Sequence, residues 1–430
     1  MRYAVVGASA AGLAAAEGVL EVDPSAEVTL ITEEPHGPYS RPLISYWLSG
    51  ETPEAFFPLP SSVLDRVELR TEARVEAVDP QGRTLRLAGG GTLRYDRLLL
   101  ATGVHPNPLG LPGEGAENVV SFYFRDDADR MDREIGRGAR RALVLGGGLI
   151  GVKAAHALAR RGVEVTVCIG SAHPLSQVVD ARAGGLVGAA LEAEGIDVRT
   201  GHRPVALEVR NGRVEAVRFE PPGTTLPCDL VVRAKGVAPR VELLQELGVG
   251  GPDGIPVDRH LRAPLPGVWA AGDVALAHDV AWGEPRPAAI WPRAVEQGRV
   301  AGRNMAGAAE PYGGSLATNA LKVGDLYLVS AGVTRPPPGG GFRTMEAFEP
   351  SAGTYRKVVL RNDRIVGAIV AGPEGERGGP DRAGVLVWAI RRGLGLADLP
   401  FDPLRDPIDW SGFAFPTTTR HASEPQGEQP

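Results

Sequence analysis

Two glycine-rich loops hold the clearest chemistry in this chain, because each joins an apolar strand to a helix. The first reads Gly7-Ala8-Ser9-Ala10-Ala11-Gly12 and the second Gly146-Gly147-Gly148-Leu149-Ile150-Gly151. In such a loop the first glycine permits the tight turn after the strand. The middle position lets backbone approach a pyrophosphate, and the last lets the helix pack closely on the sheet. A phosphate then rests on the helix N-terminus, where free N–H groups and the dipole favour an anion. Ala10 and Ala11 begin the first helix, Leu149 and Ile150 the second. Ser9 departs from the pattern where a middle glycine is usual, whereas the second loop matches it in full. Glu33 ends the strand after the first helix, where a carboxylate accepts from ribose hydroxyls. The matching strand end of the second unit, Val167-Cys168-Ile169-Gly170-Ser171, has no carboxylate, and no arginine follows directly.

Two more segments complete the set. LLLATGVHPNP is an apolar strand ending at Ala101-Thr102-Gly103, where the chain is expected to cross between domains. GVWAAGDVA is another, ending at Gly272-Asp273. A buried strand ending this way presents its carboxylate to a ligand hydroxyl; the competing reading of Asp273 is a simple helix N-cap. The next helix, IWPRAVEQGRVAGRNMAG, is expected to begin near Pro292 and contains Ala294; Trp291 reads as a core or interface residue, with a place at the mouth of the ligand site the competing reading. The two cysteines, Cys168 and Cys228, form no CxxC pair and read as buried small hydrophobes. His36, His105, His173 and His260 show no metal-ligand spacing, so no metal is expected.

The elements that must position these residues recur. RYAVVG, AAGLAAAEGVLEV and AEVTLIT read as strand, helix and strand, and RALVLGG, GLIGVKAAHALARRG and VEVTVCI repeat the order. RLAGGGTLRYDRLLLATG carries a hairpin signal, and residues 205–235 alternate as strands do. Beyond about residue 315 the texture changes. LKVGDLYLVSAGV, YRKVVLRNDRIVGAIVAG and AGVLVWAIRRGLGLADL predict a strand, a strand pair and a helix, with RPPPGGG a loose hairpin loop. The polar stretch 416–430 predicts disorder. At 430 residues, two or three domains are expected. An apolar fraction of 43% with 23% charged residues is that of a soluble globular protein, and no apolar run is long enough to span a membrane. A net charge of -6 weighs against nucleic acid as a partner. The start, MRYAVVGASAAG, shows no cleavage pattern, and a cytoplasmic location is the expectation.

With loop, Ala-Thr-Gly, second loop and Ala-Ala-Gly-Asp in this order, the chain resembles the FAD-dependent pyridine nucleotide-disulfide oxidoreductases. It is most similar to the branch of rubredoxin and ferredoxin reductases, NADH oxidases and the flavin part of nitrite reductases. The resemblance implies an α/β fold with two Rossmann-like, three-layer ββα domains and a C-terminal α+β interface domain. FAD would be bound by residues 1–107 and 240–310, and NADH or NADPH by 108–239, with 315–407 forming the interface domain. Homodimerisation is among the associations such a domain implies. Glu33, Arg41, Pro42 and Asp273 would contact FAD, Asp273 at a ribityl hydroxyl. The redox cysteine of many members falls at about Pro42 here, which argues against thiol relay. A lysine–glutamate pair beside the flavin N5 in the reductases corresponds to Tyr46 and Lys153, so the acid is lost and the base moved. These two are the catalytic candidates. With Ile169 placed at the adenosine ribose, weak nicotinamide binding and little discrimination between NADH and NADPH are expected. The resemblance implies electron transfer from nicotinamide through flavin to an iron–sulfur or rubredoxin-like protein. Direct reduction of oxygen or a small molecule, and a non-catalytic flavin-binding subunit, are the alternatives.

Overall fold

A computed structural model describes residues 1–406 except 55–56, 60, 288 and 374–382. The stretch 416–430 and the last residue of the expected interface domain lie outside the described residues. The strand Arg2–Val6 is central in a five-stranded sheet ordered Val268–Ala270, Arg97–Leu100, Arg2–Val6, Glu27–Ile31 and Glu68–Arg70. All four pairings are parallel. Strands covered on both faces need continuous apolar runs rather than alternation, and Leu98, Leu99 and Leu100 are all buried. Tyr3 and Val5 face the helix Ala10–Val22, while Ala4 and Val6 face an antiparallel meander of Val75–Asp79, Thr84–Leu87 and Thr92–Arg94.

A second sheet repeats the plan. Its strands run Asp197–Thr200, Glu164–Ile169, Arg141–Leu145, Leu230–Arg233 and Val119–Val120, all parallel, and its meander is Pro204–Arg210, Arg213–Phe219 and Thr224–Pro227. Both units are therefore α/β, with helix, parallel sheet and antiparallel sheet in layers. Between them the short strands Val104–Pro106 and Val237–Pro239 pair antiparallel, and the Thr102 hydroxyl donates to the Arg240 carbonyl at 2.8 Å.

The helix Ala10–Val22 lies against Trp291–Met305 at very short range. A Cβ on Gly298 would stand 2.1 Å from the Ala11 carbonyl oxygen, and one on Gly302 2.0 Å from that of Ala15. The equal offset of the two contacts makes the helices parallel, so both N-termini point toward the same end of the sheet.

The C-terminal part is a five-stranded antiparallel sheet, Thr318–Val323, Leu326–Gly332, Arg364–Pro373, Thr354–Arg361 and Phe342–Glu349, with the helix Gly384–Arg392 on one face. It corrects the sequence reading in two places. LKVGDLYLVSAGV is a hairpin and not one strand, with Gly324 at its turn in the left-handed region (φ 52°). Phe342–Glu349 is a further strand that no periodicity announced. This sheet is fastened to the second unit at Asp180: the buried Lys357 ammonium lies 2.7 Å from it, and the Tyr355 hydroxyl stands 2.8 Å from both Asp180 and the sheet's own Glu346, able to donate to either.

Candidate functional site

A cleft of about 1170 Å³ opens at the C-terminal end of the first sheet. The first loop forms one wall. Gly7 turns with φ 113°, and a Cβ there would sit 2.1 Å from the Ala101 carbonyl oxygen, a contact that excludes any side chain. Gly12 does not line the cleft; it packs against the Gly7 carbonyl, as the third glycine of the pattern should. Ser9 is the N-cap of Ala10–Val22, but its side chain accepts no cap bond, which leaves the first-turn amides to another acceptor. Ser9, Ala10, Ala11, Ala101, Thr102, Gly103, Gly272 and Ala294 all line this wall.

Charge is placed at both ends. Glu33 lines the cleft and is paired with Arg240, which also lies over Phe124. Arg41 binds Glu34 at 2.7 Å and stacks on the rings of Tyr123 and Phe124, each 4.8 Å from its guanidinium. Asp273 sits in the turn Gly272–Val274, fixed by a 2.8 Å bond from the Gly272 N–H to the fully buried Gln297. Burial pushes the Asp273 carboxyl above its ordinary range, against the opposing Tyr123 hydrogen bond and the Arg41 charge. Tyr123 donates to Asp273 at 3.3 Å, and burial holds that phenol neutral. Trp291 and Pro292 stand at the N-terminus of Trp291–Met305, and both line the cleft.

The second unit enters the same cleft through Leu149, Ile150 and Lys153. Its loop reproduces the first: a Cβ on Gly146 would stand 2.1 Å from the Ala234 carbonyl oxygen, and one on Gly151 2.0 Å from that of Gly146. Gly146, Gly148 and Gly151 shape this turn and do not line the cleft. Burial alone lowers the Lys153 pKa, and among the described residues no carboxylate pairs with it. Its Nζ lies 5.8 Å from the centre of the Tyr46 ring. Tyr46 itself is 39% exposed and lies outside the cleft lining, so the structure brings only Lys153 of the catalytic candidates to the site.

A second correction concerns Ile169. The Gly7 N–H donates to the Ile31 carbonyl at 2.8 Å, and the Gly146 N–H to the Cys168 carbonyl at 3.0 Å. Counting from these matched bonds, the counterpart of Glu33 is Gly170. Ile169 instead turns inward: it is 4% exposed, and its Cδ1 would be 2.5 Å from a Cβ on Gly147.

Pro42 and Ser45 line the cleft and no cysteine does. Cys168 and Cys228 are buried, and burial raises both thiols to about 12. His36, Asp126 and Asp129 cluster at the surface, a grouping that sequence spacing did not show, but His36 already bonds Asp126 at 2.8 Å. Sequence reading also missed Tyr123, Phe124, Gln297 and the three C-terminal-sheet residues Thr318, Asn319 and Ala320, which close the cleft's far side.

The comparisons agree with this arrangement. Residues 1–298 match the family model described as pyridine nucleotide-disulphide oxidoreductase, and residues 318–376 match the rubredoxin NAD+ reductase C-terminal domain. The chain belongs to the pyridine nucleotide-disulphide oxidoreductase family. By class it is an FAD-dependent NAD(P)H oxidoreductase. It is 32% identical to nitrite reductase [NAD(P)H] of Bacillus subtilis (strain 168) over 86% of its own length, though it spans 46% of that relative. It is 32% identical to the NADH-dependent phenylglyoxylate dehydrogenase subunit epsilon of Aromatoleum evansii, covering 84% of this chain and 86% of that one. Among solved structures it is similar to a NAD-dependent persulfide reductase from A. fulgidus, with TM-score 0.84 and 26% identity over 94% of this chain and 80% of the other.

The residues present fit FAD on this structure's own terms. A first loop of small residues whose Gly7 admits no side chain, the convergent helix N-termini and a buried acid lining a large cleft form a cradle for a long dinucleotide. Among the described residues no helix is long and apolar enough to cross a membrane.

Proposed function

We propose that this protein takes electrons from a reduced nicotinamide nucleotide and hands them, through FAD, to a separate redox protein of the iron–sulfur or rubredoxin class. The observation that carries this reading is a single cleft lined by residues of both glycine-loop units and of the C-terminal sheet, with no cysteine in its wall. When bound, FAD supplies hydride acceptance and one-at-a-time electron release. Gly7, Ser9, Ala10 and Ala11 would hold its pyrophosphate, Glu33 its ribose and Asp273 its ribityl chain. Arg41 adds positive charge, which the aromatic rings shield from water. Lys153 brings a cation that no carboxylate pairs with among the described residues, which favours added negative charge in the cleft. Lys153→Met should therefore lower the flavin midpoint potential, read by anaerobic dye equilibration; an unchanged potential removes Lys153 from this role.

Rubredoxin-NAD(+) reductase of Pseudomonas putida, 29% identical over 72% of this chain, supports a protein acceptor, as does terpredoxin reductase of Pseudomonas sp, at 33% over 71%. With both thiols buried, Cys168 and Cys228 have no part in the transfer. Replacing both with Ser should leave turnover within about twofold, since neither residue lines the cleft and the change is nearly isosteric; abolished turnover with FAD retained would contradict this. Steady-state assays test the acceptor. Reduction of a rubredoxin or a ferredoxin should exceed oxygen consumption at equal enzyme. Oxygen consumption that dominates with every acceptor protein tried would favour the oxidase reading.

A further inference from the structure

We propose that the second unit is built for a 2′-phosphate, so that NADPH and not NADH is the reductant, with Arg203 the residue that selects it. The proposal rests on the electron-transfer reading above and deepens it.

The matched loop bonds place Gly170 where the first unit has Glu33. A strand-end carboxylate in that position accepts from a ribose 2′-hydroxyl and repels a 2′-phosphate, and here it is absent. The space is filled from elsewhere. A Cβ on Gly170 would stand 3.2 Å from Cγ of Arg203 and 3.6 Å from its Nε, so the arginine stem runs directly over the bare backbone. Arg203 comes not from the strand's own extension but from the segment between Asp197–Thr200 and Pro204–Arg210. That segment is held in register, since the His202 N–H donates to the Ile169 carbonyl at 2.9 Å and the Arg203 carbonyl accepts from Glu220 N–H at 2.9 Å. Sequence spacing alone hides the contact, because no arginine follows the strand end directly.

Charge points the same way. Lys235 lies close enough to Arg203 for the two to repel: burial pulls its ammonium below its ordinary value, against the opposing influence of Cys168, and the Arg203 charge adds a smaller push in the same direction as burial. Among the described residues neither Arg203 nor Lys235 forms an ion pair. Two neighbouring cations without a carboxylate suit a dianionic group, for which an exposed guanidinium offers paired donors. Ser171, the next residue along, adds a hydroxyl that now donates to the His173 carbonyl at 3.1 Å.

The test uses the FAD-loaded protein and two nucleotide fragments, 2′,5′-ADP and 5′-AMP, titrated by calorimetry. One charge-assisted contact should make 2′,5′-ADP bind about tenfold tighter or more. Arg203→Ala should abolish that difference, and Arg203→Lys should keep part of it. Gly170→Glu should reverse it. Equal binding of the two fragments, tighter binding of 5′-AMP, binding of neither, or an Arg203→Ala protein that keeps the full preference would each overturn the proposal. The parent reading fails separately, if neither NADPH nor NADH reduces the flavin whatever the fragments do.

Discussion

Asp273→Ala is expected to purify with most of its yellow colour gone. The carboxylate is held out of water in the turn Gly272–Val274, where burial already raises its pKa and its protein partner is the Tyr123 hydroxyl. A buried acid in that state costs the empty protein stability and is satisfied by a further hydroxyl donor from the cleft. Loss of a charged hydrogen bond of roughly 1.5 to 3 kcal/mol weakens FAD binding by about tenfold to a hundredfold. The fold should not suffer, because the substitution removes an under-solvated charge. Flavin-to-protein absorbance ratios and thermal melting of the stripped proteins check both halves. Full flavin content in the variant would remove Asp273 from the binding role, and a lower melting point of the flavin-free variant would assign it a structural one.

Gly298→Val should have the second large effect, for a different reason. Gly298 faces backbone: a Cβ there would lie 2.1 Å from the Ala11 carbonyl oxygen and 2.9 Å from the Ala11 Cα. Backbone in a helix cannot swing aside as the tip of a side chain can, so Trp291–Met305 must move away from Ala10–Val22. Overpacking of this kind costs about 1 to 3 kcal/mol, and more where backbone shifts. The displacement also separates two helix N-termini that point toward one cleft, so flavin content should fall together with the melting temperature. A variant with the parent's melting temperature and full flavin would show that the two helices tolerate separation.

The parts of this molecule that were legible in its sequence are those where cause and effect lie close together along the chain. A strand, a glycine loop and a helix occupy consecutive residues, so Gly7–Gly12 and Gly146–Gly151 announced both nucleotide units. The parallel sheets were readable because strands such as Leu98–Leu100 are buried on both faces and carry unbroken apolar runs. Phe342–Glu349 was not, because most of its residues are exposed or half-exposed and no alternation results. Tyr123, Gln297 and Asn319 reach the site across long separations, and nothing local marks them. Ile169 shows the limit of counting: only the backbone bonds from Gly7 and Gly146 fix where each loop meets its strand, and they shift the equivalence by one residue to Gly170. Arg203 was hidden for the same reason, being brought to Gly170 by strand pairing and not by adjacency.

The central claim is that one cleft joins nicotinamide oxidation to the reduction of a separate protein, and anaerobic rapid mixing tests it most directly. FAD-loaded protein mixed with NADPH in the absence of oxygen should lose its yellow absorbance, and adding oxidised rubredoxin or ferredoxin should restore it. Protein that stays yellow with both NADPH and NADH, or that bleaches but returns no electrons to any acceptor protein, would contradict the account.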